Sequence, residues 1–303
     1  MLDICLLGCG GMIPLPERWL TSLLLRYNGH MLLIDCGDGN QIPVRMAGWG
    51  YKHIDTLLLT HYHADHISGL PGFLLTLGNS MRTEPLTIVG PKGLNRIMEG
   101  IRIIAPDISF NIKLVELSVE SPSVITCGEF RIRSVPMDHT DHCLAYAVEI
   151  DRLPHFNEDK AHRNQVPVEA WQKLHKGNIV EYEGVTYKPE MVLDYPRKGL
   201  KVCYTTDSRP TKGFVELAEN ADLMICEGMY GDPEKIVKAE KNKHMMFAEA
   251  AIMAKLAGVK RLWLTHFSPS LHEPRLYLKD TQAIFKHTEL GENLKKAVLN
   301  FEE

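Results

Sequence analysis

The stretch LLLTHYHADHISG, residues 57–69, decides the reading of this 303-residue chain. Its leucines form an apolar run too short for a helix, and three histidines and an aspartate (His61, His63, Asp65, His66) follow within six residues. The run reads as a buried strand. The segment SGLPGFLLTLGNSM after it has helical apolar spacing, so the histidines fall on a strand-to-helix loop. Imidazole and carboxylate are the ligands that zinc and similar divalent ions take. On a tight loop, alternation lets His61 and His63 face one ion while Asp65 and His66 face another.

The flanking sequence has the same character. LTSLLLRY and HMLLIDCG read as strands joined at Asn28-Gly29, a hairpin turn pair. PLTIVGPKGLNRIMEGIRII reads as strand, turn and helix, and EFRIRSVPMDHT and CLAYAVEI read as antiparallel strands. Residues 151–199 break the rhythm, with prolines at 154, 167, 189 and 196, and read as an inserted arm or lid within one domain spanning 1–303. Alternation resumes with GLKVCYTTD, FVELAENADLMICEG, a helix-like HMMFAEAAIMAKLAGV, and KRLWLTHFS. TLLLTH (56–61) and RLWLTH (261–266) echo each other, which predicts two equivalent layers delivering His61 and His266 to one edge.

A pair of ions needs about seven protein ligands. The loop supplies four; His139, Asp207 and His266 each follow an apolar strand directly and supply the rest. The expected assignment gives His61, His63 and His139 to one ion and Asp65, His66 and His266 to the other, with Asp207 bridging; His142 is a rival for His139. Asp35 in IDCGDGNQ is expected behind the ligands, orienting them. The glycines of LLGCGG (Gly8, Gly10, Gly11) are expected to form a tight turn that lets the first loop approach the metals. Two divalent ions, two carboxylates and a bridging hydroxide leave a charge of about +1, matched to a phosphodiester, and such a pair activates water as hydroxide near neutral pH. Hydrolysis is the expected reaction.

The HxHxDH pattern with distant His, Asp and His resembles the metallo-β-lactamase superfamily, which implies a four-layer αβ/βα sandwich. LLGCGGMIPLPERWLTS, IDCGDGNQ, LTHYHADHISGLPG, IVGPKGL and YTTDSRP are similar to ribonuclease Z, the branch whose members trim the 3′ side of transfer RNA precursors, over about residues 4–267. The ligand set suits zinc foremost and also accepts manganese or iron, and the resemblance implies a homodimer. It makes Asp65 the partner of the attacking water, and Glu227 and His244 a pair near the leaving oxygen. It also implies that the insertion is an arm gripping transfer RNA, with Lys173 and Lys176 as its matching cations. The sequence departs from the family pattern at Arg18-Trp19, Ala64, Ala145, Glu169-Ala170 and Met229, none of them a candidate ligand. A related hydrolase of small phosphodiesters or other esters is the alternative expectation.

Composition sets the outer limits. With 45% hydrophobic residues the chain can bury a large core, and a net charge of −4 carries no global basic field, so any polyanion site must be local. Seven cysteines without a CxxC pair argue for a reducing compartment. The N-terminal MLDICLLGCGG lacks signal-peptide character and no apolar run is long enough for a membrane span, so a cytoplasmic protein with no membrane partner is expected.

Overall fold

Two seven-stranded mixed sheets carry the fold in the computed structural model, which describes residues 1–302. The first holds β1 (Leu2–Gly8), β2 (Ser22–Tyr27), β3 (His30–Ile34), β4 (Ile54–Leu58), β5 (Leu86–Pro91) and β6 (Ile112–Leu117) in that spatial order. The second begins with β7 (Ser123–Cys127), β8 (Phe130–Pro136) and β9 (Leu144–Ile150). After the insertion, whose hairpin is β10 (Val180–Tyr182) and β11 (Val185–Tyr187), it continues through β12 (Leu200–Tyr204), β13 (Leu223–Glu227), β14 (Leu262–Thr265) and β15 (Thr288–Leu290). The last strand, β16 (Lys295–Leu299), returns to the first sheet beside β1.

The β2–β3 turn follows from its residues. Asn28 (φ 49°) and Gly29 (φ 83°) are both left-handed, as the two central positions of a type I′ turn require. From β3 onward the first sheet is parallel (β3–β4–β5–β6), and the second is parallel from β12 to β15. Parallel strands are covered on both faces, which is why their sequences read as continuous apolar runs. Alternate residues Cys5, Leu7, Leu24, Leu33, Leu57 and Leu59 join a core with the helices Gln41–Ala47, Leu70–Asn79 and Leu94–Ile104. Their neighbours Ile4, Leu6, Leu23, Leu25, Ile34 and Leu58, also fully buried, point to the opposite face. The helices Lys212–Ala218 and Phe247–Leu256 pack on β8, β13 and β14 of the second sheet. The sheets meet through bonds such as Thr21 Oγ1 to Thr265 Oγ1 (2.6 Å) and Tyr146 Oη donating to the Leu59 carbonyl (2.6 Å). The result is the αβ/βα sandwich expected from the sequence.

The chain divides into two compact units: residues 1–149 with 201–300, and residues 150–200 with Phe301 and Glu302. The second contains the helices Glu158–Arg163 and Val168–His175, the β10–β11 hairpin, and a small core of Ala161, Val166, Ala170, Leu174, Val180 and Val192. Asn157 starts its first helix by accepting the Lys160 N–H at 2.8 Å.

Some elements differ from the sequence expectation. The helix expected from His244 begins at Phe247, because the Glu249 carboxylate accepts the Met246 N–H (2.9 Å) and sets the start there. Strands β6 and β7 escape the sequence reading: each is the last strand of its sheet and is half-exposed, so its apolar pattern is diluted. No helix among the described residues is long and apolar enough to cross a membrane.

Candidate metal centre

The carboxyl ends of the parallel strands converge on one edge of the sandwich, the usual place for sites in open α/β sheets. His61 follows β4, His139 follows β8, Asp207 follows β12, Glu227 closes β13 and His266 follows β14. Glu227 and Thr265 are in register across the β13–β14 pair, which sets Glu227 beside His266. The leucines before the loop give it a rigid base. Leu57, Leu58 and Leu59 are fully buried, each contributing roughly 1.5–3 kcal/mol. The Thr60 carbonyl accepts from Leu144 N of β9 (2.9 Å), which anchors the loop to the second sheet.

Potential ligand atoms gather in two groups that share Asp207: His61, His63, His139 and Asp207, and Asp65, His66, Asp207 and His266. The atoms of each group lie within 4.8 Å of one another. Asp207 Oδ2 is 3.8 Å from His61 Nε2 and 3.5 Å from His139 Nε2, while its Oδ1 is 3.3 Å from His66 Nε2 and 2.9 Å from His266 Nε2. Asp65 Oδ2 lies 3.5 Å from His66 Nε2 and 3.3 Å from His266 Nε2. His63 Nδ1 is 3.2 Å from His139 Nε2. All seven expected ligands are thus together. His142 stands outside both groups, exposed, with its backbone N–H directed to Thr140 Oγ1.

A supporting layer holds these side chains. Asp35, fully buried, accepts from Thr60 N (2.8 Å) and Thr60 Oγ1 (2.9 Å) and pairs with His66 Nδ1 at 2.9 Å, leaving His66 Nε2 to face the cluster. It holds a left-handed backbone (φ 61°), its carbonyl taken by Ser22 Oγ (2.8 Å); such strain persists where the surroundings over-determine it. The Met12 N–H donates to Asp65 Oδ2 (2.7 Å). His266 is left-handed too (φ 56°), and a Cβ on Gly11 would stand 2.6 Å from its ring, so the glycine turn expected near the metals is needed for this approach. Glu227 accepts from Ser208 N and pairs with His244 Nδ1 at 3.1 Å, the contact expected of that couple.

The chemistry of the donors fits divalent cations. His61 Nε2, His66 Nε2 and Asp207 Oδ1 are buried without a hydrogen-bond partner, although they lie close together. Buried polar atoms left so are costly, and lone pairs aimed at a common space are what a cation satisfies. Electrostatics agree. Burial lowers the basicity of His61, whereas at His66 and His266 the nearby carboxylates, Asp207 foremost, outweigh burial and raise it. Against their own burial, Asp65 and Asp207 are held well below the usual carboxylate range by the imidazoles of His66 and His266. Anionic carboxylates packed this densely call for positive charge among them.

Lys173 lies on the helix Val168–His175 and Lys176 caps its end; both are exposed, in the unit that does not contain the cluster. Sequence reasoning missed Thr60, the Met12 N–H and Arg209. Arg209 lies two residues beyond Asp207 in YTTDSRP, a stretch that reads as a family motif in which only the aspartate is given a role.

Residues 2–180 match the family described as Anti-Pycsar protein Apyc1, a span that includes every candidate ligand up to His139. Over the whole length, the chain is 54% identical to the Ribonuclease Z of Agathobacter rectalis and 49% identical to that of Clostridium kluyveri, covering 100% of each chain in both pairings. The chain belongs to the ribonuclease Z family. Among solved structures, human tRNase Z, short form, superposes with a TM-score of 0.71 at 22% identity, covering 99% of this chain and 100% of that one. The metallo-beta-lactamase fold protein YhfI of Bacillus subtilis superposes at 0.69 and 20% identity, covering 98% of each. These two likenesses establish the metallo-β-lactamase fold. As a member of the ribonuclease Z family, the chain is a metal-dependent hydrolase.

Proposed function

We propose that this chain is the endonuclease that removes 3′ trailers from transfer RNA precursors, using two divalent ions, zinc foremost. The observation that carries the reading is the sharing of Asp207 between two ligand groups beside a buried Glu227–His244 pair. In it, His61, His63 and His139 would hold one ion and Asp65, His66 and His266 the other, with Asp207 available to both. Bound there, such ions act as Lewis acids on the phosphate oxygens and acidify water.

The chain's own residues do the rest. Asp65, oriented by the Met12 N–H, takes the proton of the attacking water as its oxygen bonds to phosphorus. The bond from phosphorus to the 3′ oxygen breaks, and that oxygen takes a proton from the His244 ring, whose Nδ1 is braced by Glu227. The products are a 3′ hydroxyl on the transfer RNA and a 5′ phosphate on the trailer. Asp35 fixes His66 through its Nδ1.

Lys173 and Lys176 of the 151–199 arm are assigned to the substrate's phosphates, and the working form is assigned as a cytoplasmic homodimer. The test is incubation of zinc-loaded protein with a precursor carrying a 3′ trailer, and separately with a nitrophenyl phosphodiester. One chelator-sensitive cut just after the acceptor stem is expected. Basic and acidic residues balance across residues 151–200, which favours a second reading, a hydrolase of small phosphodiesters. Cleavage of the small diester with the precursor untouched would decide for it. Sedimentation at micromolar concentration tests the dimer, and a flatter salt dependence of RNA affinity in Lys173→Gln/Lys176→Gln tests the arm.

A further inference from the structure

Two residues past Asp207, the guanidinium of Arg209 sits in a three-way junction whose purpose the ligand scheme leaves open. Its Nη1 donates to the His244 carbonyl at 2.6 Å and to Glu249 Oε2 at 2.9 Å, and its Nη2 donates to Glu249 Oε1. Glu249 is held in turn, since its Oε2 accepts the Met246 N–H at 2.9 Å. The chain directly after His244 is therefore pinned to one ion pair, by the carbonyl of residue 244 and the amide of residue 246.

The same junction reaches the neighbouring loop. Arg209 N donates to the Asp138 carbonyl (3.1 Å), and Ser208 Oγ accepts from Asp138 N (3.1 Å), so the Asp207 and His139 loops are laced together as a short antiparallel bridge. The turn at Lys243 adopts a left-handed conformation (φ 56°), and its carbonyl meets His139 Nδ1 at 3.1 Å. Such a turn needs an outside hold to keep its geometry. Arg209 and Glu249 are each about four-fifths buried (side-chain exposure 18% and 20%), and Arg209 supplies that hold at the His244 carbonyl, the residue after the turn.

We propose that Arg209, locked by Glu249, is the positioning residue that aims the His244 imidazole at the departing 3′ oxygen. Arginine suits the task because its planar fork serves a carboxylate and a carbonyl together, a geometry that an ammonium cannot copy. The inference rests on the reading that His244 protonates the leaving oxygen. It makes Arg209 matter in proportion to how much the leaving group needs a proton: an RNA 3′ alkoxide needs one, and a nitrophenolate does not.

The test compares wild type, Arg209→Lys, Glu249→Gln, His244→Ala and Arg209→Lys/His244→Ala. It reads kcat and KM on a precursor RNA, kcat on a nitrophenyl diester, bound metal by elemental analysis, and melting temperature. General acid catalysis contributes about 10²–10⁴-fold, so misaiming the acid should cost Arg209→Lys roughly ten- to a hundred-fold in kcat on RNA, with KM and metal content held. On the nitrophenyl diester the same variant should lose no more than about two-fold, because no acid is called for. Glu249→Gln should repeat the pattern more mildly, since the amide oxygen still accepts one bond, and it covers the case in which Arg209→Lys fails to fold. In the His244→Ala background, Arg209→Lys should cost nothing further on RNA.

Equal losses on both substrates would overturn the proposal, as would loss of metal or a full additional loss in the double variant, each assigning Arg209 to general integrity or to the ion site. Unchanged RNA turnover in His244→Ala would overturn it too, by removing the acid itself. That outcome is distinct from one in which His244→Ala is slow while Arg209→Lys acts independently of it.

Discussion

The two groups of candidate ligands meet at Asp207 but are held in unlike ways. In the inner group, His66 and His266 are fully buried: Asp35 pairs with His66, the Met12 N–H holds Asp65, and His266, its Nδ1 3.7 Å from Glu227, is packed against the bare Cα of Gly11. In the outer group only His61 is fully buried; His63 is exposed, and His139 is held at its Nδ1 by the Lys243 carbonyl. Burial and a second hydrogen bond fix an imidazole before any ion arrives, whereas an exposed ring must be ordered on binding. The inner position is therefore expected to hold its ion more tightly, and the outer one to exchange.

Four measurements would break or sharpen that contrast, the largest expected effect first. Asp207→Ala removes the residue common to both groups and should lose at least one ion, with hydrolysis falling to the uncatalysed background; two bound ions with full activity would refute the bridge. His66→Ala should then abolish inner occupancy and lower the melting temperature, while His63→Ala should weaken only the outer ion with the melting point nearly unchanged. Equal metal loss in the two variants would erase the distinction. Asp35→Asn keeps the shape of the brace but removes its charge, and should weaken inner-ion affinity by about 10–100-fold in a competition with a coloured chelator. In wild type, dilute chelator should strip metal in two phases, the first equal to one ion per chain; a single phase would make the groups equivalent.

The cysteines offer a separate check on how closed the core is. Burial pushes the thiols of Cys36 and Cys203 up to about 12, so below that pH they stay protonated as well as enclosed. Of the seven, only Cys127 is partly exposed. A thiol reagent at pH 8 should label about one cysteine in the native chain and all seven after denaturation.

Much of the site was legible before any coordinates. HxHxDH after three leucines declared a ligand loop at a strand end, and the TLLLTH and RLWLTH echo pointed to two layers delivering His61 and His266 to one edge. Both rest on local rules, the period of a buried strand and the donor chemistry of imidazole. The supports were harder to see. Thr60 and Arg209 stand one and two residues from candidate ligands yet act through partners far along the chain: Asp35 at a distance of 25 residues, His244 at 35 and Glu249 at 40.

By itself, then, the sequence determined which residue types stand at the ends of which strands, and with that the class of chemistry. Only the tertiary structure decided how Asp207 turns one oxygen to each group, and that the Met12 N–H and the Arg209 side chain hold Asp65 and the His244 carbonyl. The physical reason is range. Strand period and ligand preference are written in neighbouring residues, whereas the aim of a side chain is set by contacts between loops that only the closed sandwich brings within about 3 Å of each other.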